Sequence, residues 1–425
     1  RSGRSAPKLG RYASWAPMRI RHISTRLILG GSQENTVLSC EGQVRLGHEV
    51  HLAFGPIYGP EGSMLDRVAA FATGDGRAIE THEVPDMVRQ VNPLRDLRAR
   101  GQLRRLIAAI APDIVHTHSS KAGILGRQVA WGAQPRPGVV HTVHGPPFMP
   151  IEGGMAQRGA IRAKNLLYTL AERHAAKRCH QIVCVADAMR DQYLARGIGR
   201  PEQYVTVRSG MEVEAFLEAQ PGETRAEVRA ELGLGERDFV IGTVARLAQH
   251  KGHDDVLDAL SEEMRSRPDW KLLWVGDGWW RERLLRRAGA LGLAGQVITT
   301  GLVEPARVAP MIRAMDLLVH PSYREGLPRT VPQALLCAVP VVAYDVDGTR
   351  EACIEQQTGR LVGPGNIERL RESILWMAQH PAERRAMAER GREMCREMFS
   401  AGRMVEDLER VYERALELAG RRASA

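Results

Sequence analysis

The sequence has no C-x-x-C pair, no G-x-G-x-x-G and no uncharged apolar run of ~18 residues. Without the long run, no membrane-spanning helix is expected. Without paired cysteines, neither a zinc knuckle nor a disulfide framework is expected. The six cysteines (Cys40, Cys179, Cys184, Cys337, Cys353 and Cys395) are scattered, several in apolar runs, and read as buried free thiols of a reducing compartment. The basic opening is followed by no apolar stretch, so no signal peptide is expected. Aromatics make up only 5% of the chain, and of 59 basic residues only Lys8, Lys121, Lys164, Lys177, Lys251 and Lys271 are lysines. Arginines without an aromatic platform or a recognition motif do not describe a nucleic-acid binder.

What remains is a soluble globular profile: 425 residues, 44% hydrophobic and 26% charged, long enough for two or three domains. The net charge of +9 is unevenly placed. Residues 1–17 and 421–425 are basic tails, residues 18–208 are basic, and residues 209–420 are acidic. The opening 1–17 lacks periodicity and reads as a disordered extension. Met18 reads as the initiator or the first structured residue.

Beyond Met18, short β-branched apolar runs alternate with helical patterns. Strands are expected at 20–24, 50–54, 114–118, 139–144, 182–185 and 204–207, with helices such as 33–46 and 166–177 between them. A second series runs through 239–244, 271–275, 297–300, 317–320, 340–344 and 360–362, with helices at 256–265 and 281–291. Strand–helix alternation of this length predicts parallel α/β sheets. The expectation is two doubly wound Rossmann-like domains facing across a cleft, 18–208 and 237–400. A linker at 209–236, with a short helix at 224–232, joins them. A C-terminal helix over 401–420 crosses back to the first domain.

Ligands of such sheets bind at the carboxyl ends of the strands. Gly30-Gly31 opens a helix after the first strand, where backbone N–H groups approach a phosphate; an ordinary glycine turn is the alternative. His118, Ser119 and Lys121 follow a strand and read as a polar acceptor-side wall or as loop polarity. With no carboxylate among them they do not read as a metal site. His144 follows another strand before a Gly-Pro-Pro loop. Arg246 and Lys251 sit past the first strand of the second series and suit a diphosphate. Gly276-Asp277-Gly278 ends the next strand. Glu325 lies between a strand end and a helix beginning near 328–330, as a helix cap or as an acceptor for sugar hydroxyls.

The ordered set of segments resembles the GT-B glycosyltransferases of family 4, which are retaining and use nucleotide sugars. The segments are GGS at 30–32, GHEV at 47–50, PDIVHTHSSKAG at 112–123, HTVHGPPF at 141–148, IVCVADAM at 182–189, GTVARLAQHKG at 242–252, LLWVGDG at 272–278, and the stretch from His320 to Gly348. The resemblance implies catalytic roles for Glu325, His144, Arg246 and Lys251. It implies donor contacts for Gly31, Gly276, Gly278, Gly326, Leu327, Pro328, Thr330 and Gln333. No cofactor or metal is expected, the donor itself being the nucleoside diphosphate sugar. Two positions depart from the family pattern: Gln333 stands where a second glutamate is usual, and Ala338 where a glycine closes the helix.

The acceptor is expected to be a saccharide or a lipid-linked glycan. Arg89, Arg95, Arg98, Arg100, Arg104 and Arg105 suggest docking to an anionic membrane surface, with a solvated helix face as the alternative. A cytoplasmic place at the inner face of the membrane follows. Three rival readings stand beside the transferase: a non-catalytic sugar-binding or scaffold protein, kept open by Gln333; a metal-dependent enzyme using Asp345-Val346-Asp347; and an epimerase or phosphorylase, which would need a different carboxylate set or a pyridoxal-binding lysine.

Overall fold

The computed structural model describes residues 16–58, 62–145, 148 and 155–420. Of the expected basic tails, all but residues 16 and 17 lie outside the described residues. The chain divides into two compact units, one comprising the chain up to Met211 and from Ala401 onward, the other Glu212–Ser400.

The first unit is built on seven parallel strands: β1 Arg19–Ser24, β2 Glu49–Phe54, β3 Ile79–Glu83, β4 Ile114–His118, β5 Gly138–Val143, β6 Gln181–Cys184 and β7 Tyr204–Thr206. Their order is β3-β2-β1-β4-β5-β6-β7. The order reverses between β1 and β4, the switch point at which such sheets open a crevice. Five of these strands continue as buried runs to their carboxyl ends. β3 was not expected: in Ile-Glu-Thr-His-Glu only Ile79 is buried, so no apolar run announces it.

Crossovers are helical, and their ends follow local chemistry. Helix Pro93–Ile110 starts with proline in its first turn and Asn92 as cap, whose side chain accepts from Arg95 N–H. Helix Ala401–Leu418 belongs to this unit although the intervening 189 residues do not. Its Met404, Leu408, Val411, Tyr412 and Ala415 pack onto Ile20, Ile114, Val140 and Val183. At ~1.5–3 kcal/mol per fully buried apolar side chain, that stripe is part of the core. Where the chain leaves and returns, Ala401 N–H donates to Met211 O at 3.0 Å.

The second unit carries six parallel strands: β8 Phe239–Val244, β9 Trp270–Val275, β10 Val297–Gly301, β11 Leu317–His320, β12 Val341–Tyr344 and β13 Gly359–Val362, in the order β10-β9-β8-β11-β12-β13. Trp270, Trp274, Leu257, Leu260, Leu317 and Ile374 are among its core residues. Residues 212–236, within the expected linker, fold as part of this unit. Helix Arg225–Glu231 begins with a Thr224–Glu227 capping box, and buried Arg229 donates to Asp316 Oδ2 at 2.6 Å. Among the described residues, no helix is long and apolar enough to cross a membrane.

Candidate active site

In the second unit, the residues following β8, β11 and β12 gather at the carboxyl edge of the sheet. β8 leads into Arg246 and Lys251, and β11 into the loop holding Glu325. That loop is anchored on two sides. Tyr323 N–H donates to His250 O at 2.8 Å, and Glu325 N–H donates to Asp347 Oδ2 at 2.7 Å. Gly326 O accepts from Gly348 N–H at 3.0 Å. The side chain of Glu325 takes two partners through one oxygen: Lys251 Nζ at 2.5 Å and His320 Nε2 at 3.1 Å. Thr330 Oγ1 stands 3.2 Å from the other ring nitrogen of His320. Burial favours the neutral acid, but the His320 hydrogen bond and the Lys251 charge outweigh it and hold Glu325 well below the usual carboxylate range. Glu325 is therefore a fixed, charged acceptor.

Arg246 is exposed, its guanidinium 5.7 Å from the centroid of the Trp279 ring. Among the described residues it has no acidic partner. The glycines nearby serve chain-to-chain packing. A Cβ on Gly276 would stand 2.2 Å from Ala245 O, and one on Gly278 would stand 2.3 Å from Leu247 O. Gly252, at φ +69°, is closed in the same way by Pro321 O at 2.0 Å. These positions bring the loops after β8, β9 and β11 into backbone contact. Leu327 and Pro328 are buried, and Thr330 begins the helix Thr330–Leu336. Gln333 is half-buried on that helix and its amide has no hydrogen-bond partner among the described residues. The Asp345-Val346-Asp347 carboxylates part company: Asp345 forms a two-point pair with Arg350 (2.9 and 2.6 Å), while Asp347 holds the Glu325 backbone.

In the first unit, Gly31, His118, Ser119 and His144 all lie at the carboxyl edge of the sheet, Gly31 being the exposed first residue of helix Gly31–Arg45. Ser119 adopts φ +64° and joins two strand ends, its Oγ lying 2.7 Å from Thr25 Oγ1. Lys121, at the same edge, is engaged by the chain itself. It pairs with Asp96 Oδ1 at 2.6 Å and reaches Gln90 O, tying the start of helix Ser120–Trp131 to helix Pro93–Ile110.

His118 and His144 end a buried polar chain that the sequence did not announce. His144 Nε2 lies 3.1 Å from His118 Nδ1, His118 Nε2 lies 2.9 Å from His22 Nδ1, and His22 Nε2 lies 2.7 Å from Gln43 Oε1. Gln43 Nε2 donates to Tyr412 Oη at 2.9 Å, Tyr412 Oη lies 2.7 Å from His116 Nδ1, and His116 Nε2 lies 2.7 Å from Thr142 Oγ1. The proton order follows from the amide. A carbonyl only accepts, so His22 carries its proton on Nε2 and accepts at Nδ1. His118 then donates from Nε2, and so does His144. The same logic gives Tyr412 O–H donating to His116. Burial lowers His22 to about 4 and, with the neighbouring rings adding to it, holds His116 and His118 well below the ordinary histidine value. The hydrogen bonds thus run in one direction through Gln43, from His144 at one end to Thr142 at the other. The signal that could have found His22 is strand parity: His22 pairs with His116 in register, and His118 lies two residues on, on the same face.

Two parallel sheets with a switch point each, and with charged and polar groups collected at their carboxyl edges, have the architecture found in GT-B glycosyltransferases. Two family descriptions match consecutive parts of the chain, "Glycosyltransferase Family 4" over residues 29–228 and "Glycosyl transferases group 1" over residues 224–394. The chain belongs to that family. It is 30% identical over 299 residues to the D-inositol 3-phosphate glycosyltransferase of Segniliparus rotundus, an alignment taking in 68% of this chain and 64% of that relative. The chain therefore spans less than two thirds of that relative's length. It is 27% identical over 289 residues to the UDP-Gal:alpha-D-GlcNAc-diphosphoundecaprenol alpha-1,3-galactosyltransferase of Escherichia coli, covering 67% of this chain and 71% of that one. Among solved structures, Anabaena HepE in complex with UDP and glucose superposes with a TM-score of 0.74 at 19% identity, over 93% of this chain and 99% of that one.

Proposed function

We propose that this protein transfers a sugar, with retention, from a nucleoside diphosphate sugar to a saccharide or lipid-linked glycan acceptor. The observation that carries the reading is Glu325. It is a carboxylate kept charged by Lys251 and His320 and anchored through its own backbone N–H, at the end of a central strand. Such a group accepts hydrogen bonds from sugar hydroxyls with little reorganisation. Departure of the diphosphate builds negative charge on phosphate oxygens, which Arg246 and Lys251 are placed to receive. By the family pattern His144 takes the role of a donor-sugar contact, and the phosphate oxygen of the leaving group takes the acceptor proton. The names of the relatives support the donor class: one acts on a UDP-linked galactose and a diphosphoundecaprenol acceptor. The match to family 4 favours catalysis over a scaffold role.

Turnover of a panel of nucleotide sugars tests the assignment. Glu325→Gln should lower kcat at least ~100-fold, about 3 kcal/mol of transition-state stabilisation, in a variant that circular dichroism shows folded at the assay temperature although the lost Lys251 pair lowers its thermal midpoint. Full activity in that variant would remove the proposal.

The finer statement is that the first unit meets an anionic membrane surface. Val91, Leu94 and Leu97 are 82%, 72% and 65% exposed, amid exposed Arg89, Arg95, Arg98 and Arg100. The acid within this stretch, Asp96, is taken up by Lys121. Apolar side chains beside exposed arginines, of which, among the described residues, Arg95 alone has a distant acidic partner in Asp86 at 4.0 Å, suit the boundary between headgroups and acyl chains, each arginine adding about 1 kcal/mol near anionic lipid. Sedimentation with phosphatidylglycerol vesicles should carry the protein down, and Arg95→Glu with Arg98→Glu should release it. Equal sedimentation with neutral vesicles would overturn this part.

A further inference from the structure

The outer edge of the first sheet carries a second polar cluster, remote in the strand order from β4 and β5. Strand β2 opens with Glu49-Val50-His51 and β3 holds Glu80-Thr81-His82. The strands are parallel, with His51 opposite Glu80 and Ala53 opposite His82. Alternate residues share a face, so both Glu-x-His pairs stand on the same side of the sheet. His51 is 3% exposed, and a buried imidazole needs partners for both nitrogens.

Its Nδ1 lies 3.1 Å from His82 Nε2 and 3.3 Å from Glu80 Oε2. All three donor atoms fall within 4.8 Å of one another. Ligands bound at ~2.0–2.1 Å around a tetrahedral zinc stand about 3.3 Å apart, so these separations are those of atoms sharing one ion. On its other side, His51 Nε2 lies 2.9 Å from Glu49 Oε1, which is also held by Arg19 Nε at 3.0 Å. A carboxylate there keeps the proton on Nε2 and turns the Nδ1 lone pair toward the shared point, as the outer partners of metal-bound imidazoles do.

We propose that His51 Nδ1, His82 Nε2 and Glu80 Oε2 form a site for a zinc-class divalent cation, with Glu49 orienting His51 and water completing the coordination. Two imidazoles and a carboxylate select zinc over magnesium or calcium, which prefer all-oxygen ligands. His82 lies below its ordinary value, first by burial and then through Arg21 and His51, so its nitrogen is available as a ligand at neutral pH. Arg21, buried opposite His51 in register, opposes the cation; Glu49 and Glu80 offset it. The bound ion fastens the exposed edge strand β3 to β2, a role independent of sugar transfer.

The test uses the full chain without a histidine tag, stripped with chelator and returned to chelator-free buffer. Zinc titration by calorimetry should show one equivalent, and cobalt should give the absorption bands of a four-coordinate site. Zinc should raise the thermal midpoint, because it binds the folded state. His82→Ala and Glu80→Gln should abolish the equivalent. Glu80 has a side chain 66% exposed, so Glu80→Gln keeps the test independent of folding. Glu49→Gln should weaken binding about 10–100-fold. Absence of stoichiometric uptake overturns the proposal. So does uptake that survives in both ligand variants, which would move the ion to the buried His22, His116 and His118 group, the other set of close nitrogens among the described residues.

Discussion

Glu325 and Gln43 act at the scale of single residues, one through charge and the other through the direction of a hydrogen bond. A carboxylate held below its ordinary value stabilises the fold above the unfolded value of ~4.3 and loses that contribution as pH falls through its own, lower value. Between pH 5 and 9 Glu325 therefore does not titrate, and the pH profile of kcat/KM should show no limb that disappears in Glu325→Gln. Gln43 sets the proton positions of three histidines without touching the last of them. Gln43→Leu should scramble the tautomers of His22, His118 and His144, read from the 15N shifts of the ring nitrogens. Gln43→Glu keeps an acceptor facing His22 and should restore the Nε2–H form.

At the scale of elements, the sharpest local cost lies at the end of helix Thr330–Leu336. Ala338 N–H donates to Leu335 O at 2.8 Å and Val339 N–H to Ala334 O at 2.9 Å, the Schellman pattern, which places Ala338 at φ +55°. Glycine reaches that conformation without the Cβ clash, so Ala338→Gly should stabilise the second unit by about 1 kcal/mol, measured as a raised denaturant midpoint. The departure from the family pattern at this position was visible in the sequence, and so were the interior strands, whose apolar runs place them to within a residue or two. The edge strand Ile79–Glu83 was not, because a strand buried at one residue leaves no run to read. The Gln43–Tyr412 bond was hidden for another reason: the partners stand 369 residues apart, and only the return of the last helix brings them together. Lys121 was placed at the right strand end, but its pairing with Asp96 was hidden, since nothing local points to that partner. Tyr412→Phe, which removes the link between Gln43 and His116, should cost about 1–3 kcal/mol while leaving the apolar stripe of the last helix intact.

The whole molecule responds to acid through its buried neutral histidines. In the first unit His22 and His180 are lowered to about 4, and His116, His118 and His141 are well below the ordinary value, each chiefly by burial. The unfolded chain takes up protons near ~6.5 where the folded one does not, so stability falls as pH drops from ~6.5 toward 4. The slope should exceed one proton per molecule, or ~1.4 kcal/mol per pH unit, in urea midpoints taken across that range. The charge halves have a physical counterpart too. The basic part of the sequence carries the exposed apolar and arginine-rich helix start, while the acidic part carries Glu325 and its cationic partners.

The helix that returns at Ala401 also sets an order of events at birth. A ribosome adding ~5–20 residues each second needs roughly 10–40 s to pass from the end of the first unit's strands to its closing helix. During that interval the sheet face bearing Ile20, Ile114, Val140 and the histidine chain waits without its cover, while the contiguous second unit can finish folding behind it. The nascent protein therefore shows a sticky, half-built surface for nearly half of its synthesis, and a ribosome-bound holdase would find its target there.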